Sequence, residues 1–327
     1  MHNFIIRILS LFIFNRNKRK SFRKKYLKMN KMQVLQRNLE NYITKKIDTK
    51  TVDILNTFFD VREAKKATGS LRKVQIAGSI LLKELKKICD ENNLSFWLDY
   101  GTLLGAHRNQ GFIPWDDDID VGMMRKDFEK LKKIIVNYPE FKLTEWLHLR
   151  EGVDVYCRVS KFCFNRNDCH LFVDIFTYDF HTNDNLLNLY NQYVLDKELL
   201  RNDLKNLNMP QYSFCECNNP KDLEIIDRTF EKYNSKYYSD DDGNIVLYGI
   251  ENPYNKARRI FYKETIFPLK TVMFENHIYN IPNDIDHYLT VNFGDYMRIP
   301  SDVGHSKHPA YTSDEISTLE LIINSYK

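Results

Sequence analysis

The stretch Pro114–Gly122, PWDDDIDVG, limits what this chain can fold into more than any other. Asp116, Asp117, Asp118 and Asp120 fall within five residues, with Ile119 and Val121 interleaved. Uncompensated, carboxylates this close repel one another and raise each other's pKa values. A bound cation removes that cost. On a β-strand, residues i and i+2 share a face about 6.6–7 Å apart. A strand around 118–124 therefore turns Asp118 and Asp120 to one side and sends Ile119 and Val121 into the core. Hard oxygen ligands favour Mg²⁺ or Mn²⁺. A calcium loop of the EF-hand kind wants Gly at its sixth position and Glu at its twelfth, where this chain has Val121 and Asp127. A merely solvated acidic turn fits poorly with the apolar alternation and the preceding Pro114-Trp115.

Asp174 stands inside the apolar run Phe172-Val173-Asp174-Ile175-Phe176, where a lone carboxylate is expensive unless paired or metal-bound. Upstream, FWLDY (96–100) reads as a short strand broken by Gly101-Thr102. TLLGAHRN then reads as a short helix, with Thr102 its N-cap and Gly111 its stop. Backbone N–H groups at such a helix start suit a phosphate. A phosphate turn, two carboxylates on one strand and a third on another are the equipment for phosphoryl transfer by positioning and metal clamping. GxxxxGK[ST], GxGxxG and HExxH do not occur, so P-loop, Rossmann and zincin readings lack support.

Elsewhere, Leu71, Val74, Leu81, Leu82, Leu85 and Ile88 recur at helical spacing and predict an amphipathic helix over 70–92. A strand is expected at 171–176, helix through 185–235, and short strands with a helix near 284–291 in 266–300. Strands and helices interleaved this irregularly predict an α+β fold rather than a doubly wound sheet. At 327 residues the chain can bury a sizeable core, and its 11 Gly and 9 Pro exclude collagen-like and low-complexity classes. Six scattered cysteines form no double CxxC set and read as reduced thiols; a zinc site from Cys157, Cys163, Cys169 and His170 would need unusually long spacing.

The net charge of +4 hides an asymmetry. Residues 1–50 hold 14 Lys and Arg against Glu40 and Asp48, so the remaining 277 residues carry 34 bases against 42 acids. FIIRILSLFIF (4–14) would reach only about 16 Å as a helix, half a bilayer core. Eight cations follow it, between Arg16 and Lys28, whereas a signal peptide places its charges first. Residues 1–28 therefore read as an in-plane anchor on an anionic membrane, each cation adding about 1 kcal/mol. A solvated basic tail or a nucleic-acid arm are the competing readings, and no nucleic acid is expected. The expected division is a basic amphipathic arm and helical connector at 1–69 and a catalytic domain at 70–327.

The run FWLDYGTLLGAHRNQGFIPWDDDIDVGM resembles the signature of the LicD family, bacterial phosphocholine transferases related to the fukutin-related proteins. FPLKTVMFENHIYNIP and YLTVNFGDYMRIP resemble the family's closing segments. The resemblance implies a nucleotidyltransferase-like mixed sheet with surrounding helices, Gly101-Thr102 as the phosphate turn, and Asp118, Asp120 and Asp174 as metal and catalytic carboxylates. It also implies transfer of phosphocholine or a related phosphoalcohol from a CDP-linked donor to a cell-surface glycan or its lipid-linked precursor, at the cytoplasmic face of the membrane. Arg108 and Lys161 are candidates for gripping donor phosphates. Trp115, with Trp97, Tyr100 and Tyr178, could wall a choline head through cation–π attraction of about 0.5–2 kcal/mol per contact. The sequence departs from the family pattern at Asn109, at Thr177-Tyr178 and at Phe293. A glycosyltransferase holding a nucleotide sugar through a DxD-bound metal is the rival enzyme, and a purely structural ion site the rival outside catalysis.

Overall fold

The computed structural model describes residues 49–149, 156–183, 185–207, 212–239, 243–253, 259–300 and 311–327. The anchor expected at 1–28 lies outside them, as do residues 30–48 of the connector. No helix among the described residues is long and apolar enough to cross a membrane. The chain divides into two compact units. In the smaller, Asn56 on helix α1 (Thr49–Phe58) clasps Ile299: its Nδ2 donates to the Ile299 carbonyl at 3.1 Å, and its Oδ1 accepts from the Ile299 N–H at 2.7 Å.

The larger unit, 60–298 with 304–327, is built on an eight-stranded mixed sheet flanked by helices. Its order runs β1 (Phe96–Leu98), β2 (Asp120–Met124), β5 (Phe172–His181), β4 (Cys157–Phe164), β3 (Phe141–Leu149), β6 (Tyr212–Glu216). The β2–β5 pair is parallel, and the other described pairs of this sheet are antiparallel. Strand β5 is long enough to serve two neighbours on its far edge. Residues 172–175 pair with β4, and residues 178–181 pair with β7 (Ile245–Tyr248), which in turn pairs with β8 (Ile260–Tyr262).

Helix α2 (Gly69–Glu91) turns Val74, Leu81, Leu82, Leu85 and Ile88 inward, all at most 2% exposed. Burying five such side chains contributes roughly 10 kcal/mol before chain entropy is counted, which fixes the helix on the sheet. Period-two alternation splits the core between the faces. Val246 and Tyr248 of β7 join the cluster under α2. Ile245 and Leu247 join the cluster under α5 (Leu186–Asn206) and α6 (Pro220–Asn234). The remaining elements are α3 (Tyr100–Asn109), α4 (Arg125–Ile134), α7 (Lys263–Ile266), the hairpin β9 (Lys270–Phe274) to β10 (His277–Ile281), α8 (Ile285–Phe293) and α9 (Ser313–Ser325).

The α+β expectation holds, with three local corrections. The helix expected through 185–235 is two helices separated by β6, because Asn219 caps a new helix whose first residue is Pro220. Strand β2 begins at Asp120 rather than at 118. Its ladder to β1 opens at Leu98–Val121 and that to β5 at Asp120–Asp174, so Asp118 precedes the sheet. Thr102 does not cap α3. Asp99, in extended conformation, accepts from the Tyr100 N–H at 2.7 Å, and the helix ends at Gln110 in the left-handed region instead of at Gly111.

Candidate active site

Asp120 opens β2 and Asp174 sits directly beside it on β5, as Cα partners of a parallel ladder whose strands are about 4.8 Å apart. The backbone fixes both. The Asp174 N–H donates to the Ile119 carbonyl at 2.8 Å, and the Asp99 N–H donates to the Asp120 carbonyl at 3.0 Å. Thr102, in the first turn of α3, accepts the Asp120 N–H on its hydroxyl at 2.9 Å. The residue expected to cap a helix instead ties that helix to the DxD segment. Asp120 is buried, and its pKa is pushed well above the carboxylate range, first by desolvation and then by Asp118, Asp174, Asp116 and Asp99.

Ahead of β2, Asp116, Asp117 and Asp118 each offer a carboxylate oxygen within 4.8 Å of the others, the only such His, Cys, Asp or Glu group among the described residues. The candidate zinc ligands do not converge: all six cysteines are free, and His170 pairs with Glu315. The acidic loop is braced from below. Buried Gln75 donates to the Asp116 carbonyl at 2.9 Å and accepts from Arg72 at 3.2 Å, and Arg72 pairs with Glu275 at 2.7 Å. Gly101 leaves room for the loop from above. A Cβ there would lie 2.7 Å from Asp116 Oδ2, so only glycine lets the helix start and the carboxylate approach this closely.

Lys161 is the Cα partner of Asp174 on β4, and its Nζ meets Asp174 Oδ1 at 2.5 Å. Its ammonium also lies over the rings of Phe172 at 3.2 Å and Trp146 at 5.1 Å. It is thus placed at the site, but as Asp174's charge partner. Arg108 is 6% exposed; Nη1 donates to the Tyr296 carbonyl at 2.9 Å, and Nη2 has no acceptor among the described residues. Burial lowers its pKa to about 10, with Asp116 opposing the shift. The half-buried Trp115 ring lies 5.9 Å from the Arg108 guanidinium. Of the other aromatics, Trp97 and Tyr178 are sealed in the core at 1% and 0% exposed and cannot wall a ligand, whereas Tyr100 is half-buried.

Each departure from the family pattern has a defined partner. Asn109 accepts from Arg108 Nε at 3.2 Å, Thr177 donates to Glu251 at 2.6 Å, Tyr178 donates to Asp99 at 2.8 Å, and the partly exposed Phe293 meets the Tyr100 ring edge-on at 6.3 Å. Sequence reasoning did not single out Asp99, which ends an apolar strand just as Asp174 interrupts one. It also missed the buried cluster in which Arg125 grips Asp179 at 2.6 Å and Glu251 at 2.8 Å. No local pattern marks that cluster, because its members lie far apart in the chain.

Residues 93–222 match the LicD/FKTN/FKRP nucleotidyltransferase domain. Three relatives bear on this. An uncharacterised protein of Rickettsia typhi is 27% identical over 64% of this chain and 65% of its own length. One of Rickettsia prowazekii is 41% identical over 20% of this chain and 24% of its own length. The chain therefore spans less than two thirds of these two relatives. The lipopolysaccharide cholinephosphotransferase LicD of Haemophilus influenzae is 25% identical over 73% of this chain and 96% of its own length. Gly101, the acidic loop, Asp120, Lys161 and Asp174 all lie inside the matched span, so the likeness to the LicD/FKTN/FKRP nucleotidyltransferase domain covers the candidate site itself.

Proposed function

We propose that the chain transfers phosphocholine, or a related phosphoalcohol, from a CDP-linked donor to a hydroxyl of a cell-surface glycan or its lipid-linked precursor. The observation that carries this reading is the pairing of Asp120 with Asp174 on parallel strands, beside the 116–118 carboxylates and under the Gly101 turn. A cluster of oxygen ligands with Asp120 desolvated fits a hard divalent ion, Mg²⁺ or Mn²⁺. Asp118, Asp120 and Asp174 would hold it, although the carboxylates gathered within 4.8 Å of one another among the described residues are those of Asp116, Asp117 and Asp118. Bound there, the ion would neutralise charge developing on the transferred phosphoryl group. Gly101 lets backbone N–H groups approach a donor phosphate, and Arg108, in the last turn of the same helix and close enough to Asp116 to feel its charge, offers a spare guanidinium N–H. The acceptor oxygen attacks the phosphorus bearing the alcohol, the bond to the bridging oxygen breaks, and CMP departs with that electron pair. Asp174 stands either as an oxygen ligand or as the acceptor of the hydroxyl proton, steadied by Lys161.

Residues 1–28 would hold the enzyme peripherally at the inner face of the cell membrane, where a lipid-linked glycan precursor is presented. The decisive assay offers the full chain CDP-choline and UDP-sugars in parallel, with a glycan acceptor and with Mg²⁺, Mn²⁺ or chelator. CMP release dependent on metal and acceptor supports the reading. Turnover of UDP-sugars alone replaces it with the glycosyltransferase, and no turnover with metal-dependent stability leaves a structural ion site.

A further inference from the structure

Asp99 is fully buried where β1 runs into α3, and four donors converge on its carboxylate. Oδ1 accepts from the Tyr100 N–H at 2.7 Å, from Arg259 Nη2 at 2.9 Å and from Tyr288 Oη at 2.6 Å. Oδ2 accepts from Tyr178 Oη at 2.8 Å. Arg259 arrives from the residue just before β8, well beyond the matched span. Its guanidinium carbon lies 3.4 Å from the Tyr100 ring centre and 4.4 Å from that of Tyr248, and its Nε donates to Asn292 at 2.8 Å. Burial alone works against its charge, and Asp99 with the neighbouring tyrosines more than offsets this and keeps it cationic.

Tyr100 links this pair to the phosphate turn. It immediately precedes Gly101 and holds a φ of +42°, a conformation that non-glycine residues keep only where their surroundings over-determine it. Here both ends of Tyr100 are held: its N–H by Asp99, its ring by the Arg259 plane. We propose that Arg259 is a positioning residue, which through Tyr100 and Asp99 holds the Tyr100-Gly101 turn in the conformation that receives the donor's phosphates. This rests on the CDP-alcohol reading of the site. A lysine could supply the charge but neither the planar stack nor the fork.

Two variants separate positioning from bulk stability. Arg259→Lys keeps a cation opposite Asp99. Arg259→Met combined with Asp99→Asn removes both charges, so that neither is buried alone. Each is compared with wild type by melting temperature, by calorimetric affinity for CMP in Mg²⁺, and by kcat and KM for CDP-choline. The expected result is melting of the Lys variant within about 4 °C of wild type. Both variants should lose about tenfold to hundredfold in kcat/KM and bind CMP correspondingly more weakly, since displacement of a phosphate-holding turn by an ångström is enough for that. Folded variants that bind CMP and turn over donor within twofold of wild type overturn the proposal. So does an activity loss that merely follows the folded fraction. If the wild type binds CMP but ignores CDP-choline, the donor reading fails alone, and CMP affinity in the variants still decides on Arg259. A wild type that binds neither overturns both.

Discussion

Gly101→Ala tests the turn without disturbing the fold beneath it. Gly101 is the second residue of α3, and alanine fits a helix there. Fewer unfolded conformations favour the variant by about 0.4–1 kcal/mol. Against this, the new Cβ would sit 2.7 Å from Asp116 Oδ2, 3.7 Å from its Cγ and 3.9 Å from Oδ1, so the carboxylate must rotate away. An off-rotamer side chain costs about 0.5–1.5 kcal/mol. The two effects nearly cancel, and the melting temperature should stay within about 4 °C of wild type. Activity has no such compensation. On the proposed reading the methyl crowds the turn that would receive the donor phosphate, and the displaced Asp116 carboxylate leaves the acidic cluster. Misplacement on that scale removes about tenfold to hundredfold in kcat/KM, or about 1.4–2.7 kcal/mol of transition-state stabilisation. CMP release from CDP-choline at saturating acceptor, with a thermal melt of the same preparation, measures both. A variant within twofold of wild-type kcat/KM refutes the phosphate turn, as does a loss fully explained by a lower melting point.

Asp118→Asn or Asp120→Asn should abolish turnover and the rise in melting temperature that Mg²⁺ or Mn²⁺ gives the wild type, with the circular dichroism of the folded chain intact; wild-type turnover in either moves the ligands elsewhere. Asp174→Asn strands the buried Lys161 ammonium, so it should lose about 3–5 kcal/mol of stability in urea titration. It should also cost more in kcat per folded molecule than in donor affinity, and an unchanged kcat removes Asp174 from the catalytic list. Arg125→Met leaves Asp179 and Glu251 buried without their cation, and the same titration should show about 3–5 kcal/mol lost; a loss under 1 kcal/mol would mean that both are protonated in the folded chain. Deleting residues 1–28 should release the protein from anionic vesicles, and moderate salt should weaken binding of the full chain; sedimentation of the truncated chain with vesicles places the anchor in the body.

What the sequence made legible was whatever violates a local pattern. Asp174 in an apolar strand, and four carboxylates where a strand should begin, both announce an expense that only function or pairing explains. The stripe Val74–Ile88 and the α+β interleaving are equally local and came through. Strands β3, β4, β7 and β8 were not anticipated. CRVSKFCF on β4 carries Arg158, Ser160 and Lys161 among its apolar residues, and only the pairing of Lys161 with Asp174 explains a lysine that is 5% exposed. Thr102 has the chemistry of an N-cap, yet Asp99 stands three residues earlier and takes that position, which frees the hydroxyl for Asp120. The contest between two suitable caps was decided by sheet register, which no window of sequence contains.

Lys161 and Asp174 pair within the matched span, but other buried charges of that span are closed from outside it. Asp99 takes its cation from Arg259, Arg125 shares Glu251 as well as Asp179, and the acidic loop rests on Gln75, Arg72 and Glu275. None of these outside partners lies within residues 93–222. A chain cut at residue 222 would bury Asp99 without its cation, at a cost of about 3–5 kcal/mol. It would also expose the edge of β5 at 178–181, where β7 now pairs, and would strip Glu275 from beneath Gly111 and Phe112. Together these losses approach the whole stability of an ordinary domain, about 5–15 kcal/mol. The matched segment is therefore smaller than the segment that must fold. The β7–β8 pair covers the edge of the strand that holds Asp174, and Glu275 braces the loop that precedes Asp120.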